Sequence, residues 1–394
     1  MRCGGLANYP MSEAAQTILQ GGAAVARETS RDADPGFLWD FWYPALRSSQ
    51  ITGQRLVTAM LLEVPLVLGR TSHGKAFAMR DSCPHRGIPL SYGHFDGKAV
   101  ECSYHGWKFD ACTAQCLEIP SLSSQDKIKI DRVFAGHFPC EERDGYVWVY
   151  MTSRGRAMGD STPGARASDT IPPAPALPVF SKKYKITHLE CDMPTHVDHG
   201  IIGLMDPAHG PFVHQSWFWR SKRSIHEKEK HFEPIPDGFR MSKHEPSSNS
   251  APYKVLKYFS GEATTTMIDF VLPNMRLEEI RSGHLWFSSR ATVTPLRRDL
   301  CRIDFVAAWN LARAVPGVVS IFRAFAKEFL RQDQQTMIQQ SEGLKHNPRL
   351  MLIDDADRPA KWYFALKANL LESRRTGTPM VHPMSGPVTL RWRS

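Results

Sequence analysis

Up to about residue 151 the chain runs in short stretches where apolar and polar residues alternate, such as PLVLGR, KAFAMR, AVECSYHGWKF and GYVWVYM. A period of two predicts half-buried strands, and the Asp-Gly pairs at 96 and 144 predict tight turns between them. The most apolar run, LVTAMLLEVPLVLG, is interrupted by Glu63 and Pro65, so it reads as two paired strands and not as a membrane span. Residues 152–178 are rich in Pro, Gly, Ser and Ala and have little periodicity, which predicts a linker or a long surface loop. Beyond it, YKITHLECDM, TTTMIDFVL, HLWFSSRATVTPL and CRIDFVAAWNLA read as strands, and apolar residues spaced three and four apart predict a helix over about Val318 to Leu344. The pattern divides the chain into an N-terminal segment (1–37), an all-β part (38–151), the linker (152–178) and an α+β part (179–394). Internal repeats and low-complexity tracts are absent from the sequence.

Composition narrows the classes. A chain of 394 residues, 42% of them hydrophobic, can bury a sizeable core. The opening MRCGGLANYPMSEAAQ has neither an apolar h-region nor a small-residue cleavage site, and the cytoplasm is the expected compartment. Eight scattered cysteines are too few for a disulfide framework in so long a chain, which favours reduced thiols free to bind metal. The net charge of +9 invites a nucleic-acid reading. Against it, the densest basic cluster, RSKRSIHEKEKHFE, is interleaved with Glu227, Glu229 and Glu233, unlike a one-signed patch that tracks phosphates.

Two constellations carry chemistry. In SCPHRGIPL and ECSYHGWKF, Cys83-x-His85 is followed after 16 residues by Cys102-x2-His105. Two thiolates with two imidazoles fit either a tetrahedral zinc site or a Rieske [2Fe-2S] site, in which two His replace two Cys on one iron. Pro84, Gly87 and Gly106 are the residues expected where two hairpin tips close over a cluster, whereas zinc knuckles more often repeat Cys-x2-Cys, and Cys112 and Cys116 read as core or hairpin residues. The second constellation is LMDPAHGPFVHQSWFW, in which Asp206, His209 and His214 form Asp-x2-His-x4-His. Asp206 followed by Pro207 has the form of a helix N-cap. His209 would then lie in the first turn, with Gly210-Pro211 bending the chain so that His214 returns to the same point. Two imidazoles there suit Fe(II) with a carboxylate as third ligand. Asp333 falls on the apolar stripe of Phe322, Phe325, Ala326, Phe329, Leu330, Thr336 and Met337, where a carboxylate needs a cation or strong donors unless it sits solvated at the margin.

CPHRG followed by CSYHGW resembles the Rieske motif of the ring-hydroxylating, non-heme iron oxygenase family. The resemblance implies an all-β Rieske domain followed by an α+β, helix-grip-like (START/Bet v 1-like) catalytic domain with an antiparallel sheet. It also implies that Cys83 and Cys102 hold one iron of a 2Fe-2S cluster and His85 and His105 the other, with Trp107 packed beside them. By the same resemblance His209, His214 and Asp333 hold a mononuclear Fe(II), and Asp206 bridges a cluster His to an iron His, across subunits of a homotrimer. Many ring-dihydroxylating members have Asn four residues before the bridging Asp, where this chain has Ile202; that departure favours a monooxygenase or demethylase.

The expected reaction uses O2 and electrons from an external ferredoxin or NAD(P)H-dependent reductase, since the chain has no nucleotide fingerprint and no plant-type ferredoxin motif. Such carriers are often acidic, which would give the basic surface a use. The expected substrate is a bulky apolar ring compound, aromatic or steroid-like, hydroxylated or oxidatively demethylated in a pocket that Trp217, Phe218, Trp219, Met267, Phe270, Leu285, Trp286 and Phe287 could line, with HEPSSNSAPYK as a loop at its entrance or a surface turn. Other readings stay open: a cis-dihydroxylating dioxygenase, a Rieske electron carrier with a non-catalytic ligand-binding domain, and a zinc-stabilised binding module.

Overall fold

Alternation in the first part builds three small antiparallel sheets. Strands β1 (Phe41–Arg47), β2 (Val57–Leu61), β3 (Val64–Arg70), β4 (Ala76–Arg80), β5 (His94–Phe95), β6 (Ala99–Glu101), β7 (Lys108–Asp110), β8 (Cys116–Glu118), β9 (His137–Phe138), β10 (Cys140–Arg143) and β11 (Tyr146–Met151) pair in the orders β1-β11-β10, β2-β3-β4-β9 and β5-β6-β7-β8. In this computed structural model the described residues are 36–153, 171–214, 222, 225–246, 251–312 and 314–394, without the side chains of 251–255. The expected β2–β3 hairpin is present, turning through Leu62 (φ 51°) and Glu63 (φ 63°). The turn at Asp144 (φ 51°) and Gly145 (φ 77°) is likewise left-handed, the conformation that suits two-residue hairpin loops.

The second part is one large antiparallel sheet with helices. Strands β12 (Lys185–Met193), β13 (Glu227–Ile235), β14 (Gly238–His244), β15 (Thr264–Val271), β16 (Met275–Ser282), β17 (Leu285–Arg297), β18 (Leu300–Trp309) and β19 (Val388–Arg393) are ordered β12-β18-β17-β16-β15-β14-β13-β19. The helices are α1 (Val197–Met205), α2 (Gly210–Val213), α3 (Ala251–Ser260), α4 (Val318–Leu344) and α5 (Arg358–Thr376). Strand β13 lies in the segment whose charge density hides it from a search for apolar alternation; it is held by its neighbours and by an Arg391–Glu229 ion pair of 2.7 Å to β19.

Three expectations are corrected. Residues 171–178 are not a surface loop: Ala174 and Leu177 are buried with Trp42, Trp148 and Trp286, and their N–H groups donate to Glu141 (2.9 Å) and Asp144 (2.6 Å). The apolar side chains between the prolines find a core to fill; residues 154–170 lie outside the described set. The stripe of α4 is not buried either, since Phe325 is 55% exposed and Phe329 37%. Finally, Asp206 is not an N-cap but the C-cap of α1, with ψ 117°. The cause is Pro207, which pushes the residue before it out of helical geometry and so ends the preceding helix.

Burial also sets an acid limit. Desolvation, with Lys75 nearby, pulls His137 on β9 down to about 4. A depressed folded pKa gives stability that is present above the unfolded value of roughly 6.5 and lost as pH falls towards 4, about 3 kcal/mol in all. His137→Gln is expected to lose about 3 °C less in Tm than the parent between pH 7 and pH 5.

Candidate active site

The two Cys/His loops are built alike. Cys83 N–H donates to Ile88 O (2.8 Å) and Gly87 N–H to Cys83 O (2.8 Å); Cys102 N–H donates to Trp107 O (2.8 Å) and Gly106 N–H to Cys102 O (3.0 Å). Each loop needs a glycine at positive φ, Gly87 at 74° and Gly106 at 69°, and at Gly106 a Cβ would also press to 3.2 Å from Pro120. Both cysteines are buried. The two imidazoles lie nearer the surface, with ring centroids 4.5 Å apart, and Trp107 stacks on His85 at 4.8 Å and 7°. Burial and the neighbouring Cys102 push the Cys83 thiol up to about 11, so paired thiolates here need a cation beside them. Desolvation, with His85 and Arg86, lowers the pKa of His105, which favours the neutral, ligating imidazole. One buried side with thiols and one outer side with imidazoles is the donor asymmetry a Rieske cluster requires.

The second constellation converges through different elements than expected. Helix α1 is pinned by Asp198 in its first turn, which accepts from Lys367 Nζ at 2.7 Å to both oxygens and from Tyr363 on α5. Past its end, Asp206 Oδ1 accepts from Ala208 N–H (2.7 Å). His209 is the N-cap and His214 the C-cap of α2; Gly210-Pro211 opens this short helix instead of ending one. Helix α4 is tied to the end of β12 by Gln334 Nε2 on Asp192 O (2.6 Å) and Ser341 Oγ on Pro194 O (2.5 Å), which delivers Asp333.

His209, His214 and Asp333 offer ligand atoms that all lie within 4.8 Å of one another. His209 Nε2 and His214 Nε2 are 3.1 Å apart, and Asp333 Oδ1 lies 3.1 Å from His214 Nε2 and 3.8 Å from His209 Nε2. Ligand atoms on one face of an octahedral ion with bonds near 2.1 Å sit about 3 Å from each other, so the donor set fits such an ion. Asp206 Oδ2 stands 3.5 Å from His209 Nδ1. Burial pulls His209 down, but the carboxylates of Asp206 and Asp333 outweigh it and hold its pKa above the ordinary value.

Two neighbours were missed. Gln332 Oε1 lies 3.0 Å from His214 Nδ1, and its Nε2 donates to Glu328 Oε1 at 3.1 Å. With the amide so oriented, His214 carries its proton on Nδ1 and turns the Nε2 lone pair towards His209 and Asp333. Phe329 stacks on His214 with centroids 3.4 Å apart. The available signal was helical spacing: Phe329 is four residues before Asp333, and Glu328 four before Gln332.

These groups open on a cavity of about 1260 Å³. Of the expected lining, Phe270, Trp286 and Phe287 are present. Trp217, Phe218 and Trp219 lie outside the described residues. Met267 belongs to the opposite face of its strand from the lining residues Thr266, Ile268 and Phe270, and Leu285 packs into a small cluster with Leu256 and Ile280. The expected entrance loop is partly helix, because α3 begins at Ala251; residues 247–250 lie outside the described set.

Residues 41–131 match the Rieske [2Fe-2S] domain family. Chlorophyllide a oxygenase of Chlamydomonas reinhardtii is 33% identical over 204 residues, 50% of this chain and 28% of that protein. The 3-chlorobenzoate-3,4-dioxygenase oxygenase subunit of Comamonas testosteroni is 38% identical over 120 residues, 30% of this chain and 27% of that protein. The alignments thus span under a third of these curated relatives. The solved structure of an NdmA mutant from Pseudomonas putida CBB5 with theobromine aligns over 86% of this chain and 92% of its own, with TM-score 0.65 at 17% identity, a likeness of fold. The chain therefore carries an all-β Rieske domain followed by an α+β domain built on a large antiparallel sheet. The Rieske domain together with these oxygenase relatives supports a Rieske non-heme iron oxygenase family for the chain.

Proposed function

We propose that the chain is the terminal component of an oxygenase, dividing at 38–151 and 179–394, that hydroxylates or oxidatively demethylates a bulky apolar ring compound. Cys83, His85, Cys102 and His105 hold the 2Fe-2S cluster, and His209, His214 and Asp333 a mononuclear Fe(II). When bound, the two centres supply one-electron storage and O2 activation. The observation that carries this reading is the meeting of two Nε2 atoms and one carboxylate oxygen on the wall of a cavity that exceeds the roughly 300–1,000 Å³ of common ligand sites. Phe270, Trp286 and Phe287 offer apolar surface for the ring system, and Asp206 and Gln332 orient the two imidazoles from behind. Ile202, in place of the Asn of many dihydroxylating members, supports a monooxygenase. Electrons come from an external ferredoxin or NAD(P)H-dependent reductase, delivered within a homotrimer through Asp206. Seven described cysteines are free, which supports a reducing compartment, the cytoplasm; among the described residues no helix is long and apolar enough to cross a membrane.

The test is iron, zinc and acid-labile sulfide per chain on anaerobically purified protein, with an EPR spectrum after reduction. About three iron and two sulfide with a Rieske signal are expected. About two iron, not rising on addition of Fe(II), would leave an electron carrier, and zinc without sulfide would overturn the reading. Gln332→Leu is expected to weaken Co(II) binding to the iron-depleted second site by about 10- to 100-fold, read from a Co(II) titration, with the cluster absorbance unchanged.

A further inference from the structure

Across β15 to β18 the sheet face that lines the cavity is mainly apolar, with Ile268, Phe270, Ile280, Ala291, Ile303 and Phe305 beside the neutral Thr266 and Ser289; further charge lies on β13, at Glu227 to Lys230. Along β16 every second residue faces the cavity: Arg276, Glu278 and Ile280. Their cross-strand partners on the same face are Phe270 and Ile268 on β15 and Ala291 and Ser289 on β17. Arg276 and Glu278 are the charged residues of this mainly apolar stretch of the wall, and they form an ion pair. Arg276 Nη1 donates to Glu278 Oε2 at 3.0 Å, and the side chains keep 23% and 16% of their exposure.

That contact uses one arm of the guanidinium. Among the described residues Arg276 has no other hydrogen-bond partner, so Nε and Nη2 rely on water while the cavity is wet. An apolar ring compound that fills the cavity displaces this water, and leaving charged donors without acceptors is costly. A compound with an acceptor oxygen in the right place removes the penalty and gains a charge-assisted hydrogen bond. Glu278 keeps the pair neutral, so the cavity admits apolar matter without an isolated buried charge, yet it leaves a donor edge facing inward.

We propose that Arg276 is a substrate-recognition residue, and that the compound bound in this cavity carries a carbonyl or carboxylate oxygen which docks on the free edge of the guanidinium. The proposal rests on the reading of the cavity as the substrate site, and it adds to that reading a polar group the apolar lining does not call for. The flat edge, with parallel N–H donors, fits a carboxylate with two bonds or a carbonyl with one. Glu278 sets the two apart, because its charge opposes a second carboxylate and leaves a neutral carbonyl unaffected.

Equilibrium dialysis of the full chain against naphthalene, 2-acetylnaphthalene and 2-naphthoate tests it. The probes share one ring system and differ only in the acceptor. At least one oxygenated probe is expected to bind about tenfold or more tightly than naphthalene, the ratio a charged hydrogen bond supplies. Arg276→Leu should abolish that preference while naphthalene affinity stays within threefold, which shows that the variant is folded and its cavity intact. Arg276→Lys should keep part of it. Glu278→Gln should raise affinity for the carboxylate and not for the ketone if the acid is the form recognised. A preference that survives Arg276→Leu, or none in the parent despite naphthalene binding, would overturn the proposal alone. Failure of all three probes to bind the parent would instead remove the reading of the cavity on which it depends.

Discussion

His209→Ala protein is expected to purify with about two iron per chain in place of three, with an unaltered Rieske EPR signal and turnover reduced by about a thousandfold or more. His209 supplies one of three donors that meet within 4.8 Å, and His214 with Asp333 alone cannot close a face around an ion. The cluster loops share no residue with α2, and Gly87 and Gly106 hold them independently, so the first centre should not notice the change. His209 belongs to none of the apolar core clusters of the fold, so Tm should also stay within a few degrees. Three iron in the variant, or loss of the Rieske signal with the third iron, would contradict the separation of the two sites.

Asp206→Asn is the second large effect, and it should differ in kind. Both metals are expected to stay at parental levels while turnover falls by about 100-fold. A carboxylate offers an acceptor on each oxygen, and here one serves Ala208 N–H at 2.7 Å while the other faces His209 Nδ1 at 3.5 Å. An amide of the same shape has one acceptor only. If it keeps the turn at Ala208, its NH2 meets the imidazole N–H donor to donor; if it flips, the turn loses its bond. One of the two carboxylate charges that raise the pKa of His209 is lost in either case. Activity within a few-fold of the parent would exclude Asp206 as the link between centres.

Much of this was legible because period and punctuation agree. Alternation with Asp-Gly turns located the hairpins, and a helix over Val318–Leu344 is found as the spacing predicts. The paired Cys/His loops stood out because glycines follow them where left-handed backbone is needed. Other parts were hidden for physical reasons. Strand β13 is a run of alternating charge that only its neighbours make into a strand. Asp206 looked like the start of a helix because Asp-Pro is a common opening, yet the apolar run before it had already formed α1, and the same proline that suits a first turn also forbids continuing one. Gln332 leaves only its spacing from Glu328, and Arg276 no local mark: one matters through a partner 118 residues away and the other through which face of a sheet it shares.

The tip of the β2–β3 hairpin donates backbone hydrogen bonds from Leu62 and Glu63 to the carbonyls of Pro295 and Leu296 in the large sheet. In the opposite direction Arg302 reaches the carbonyls of Pro44 and Ala45 at 3.0 and 3.1 Å. The ties from Leu62 and Glu63 use main-chain N–H groups, so they survive any change of side chain at the tip other than to proline. Recombination between relatives is a different matter: a Rieske half transplanted from a cousin arrives with its own hairpin length, and a tip one residue shorter or longer would miss Pro295 and Leu296. Crossovers between Pro44 and Arg302 are therefore expected to separate matched contacts, and those outside that stretch to keep them together.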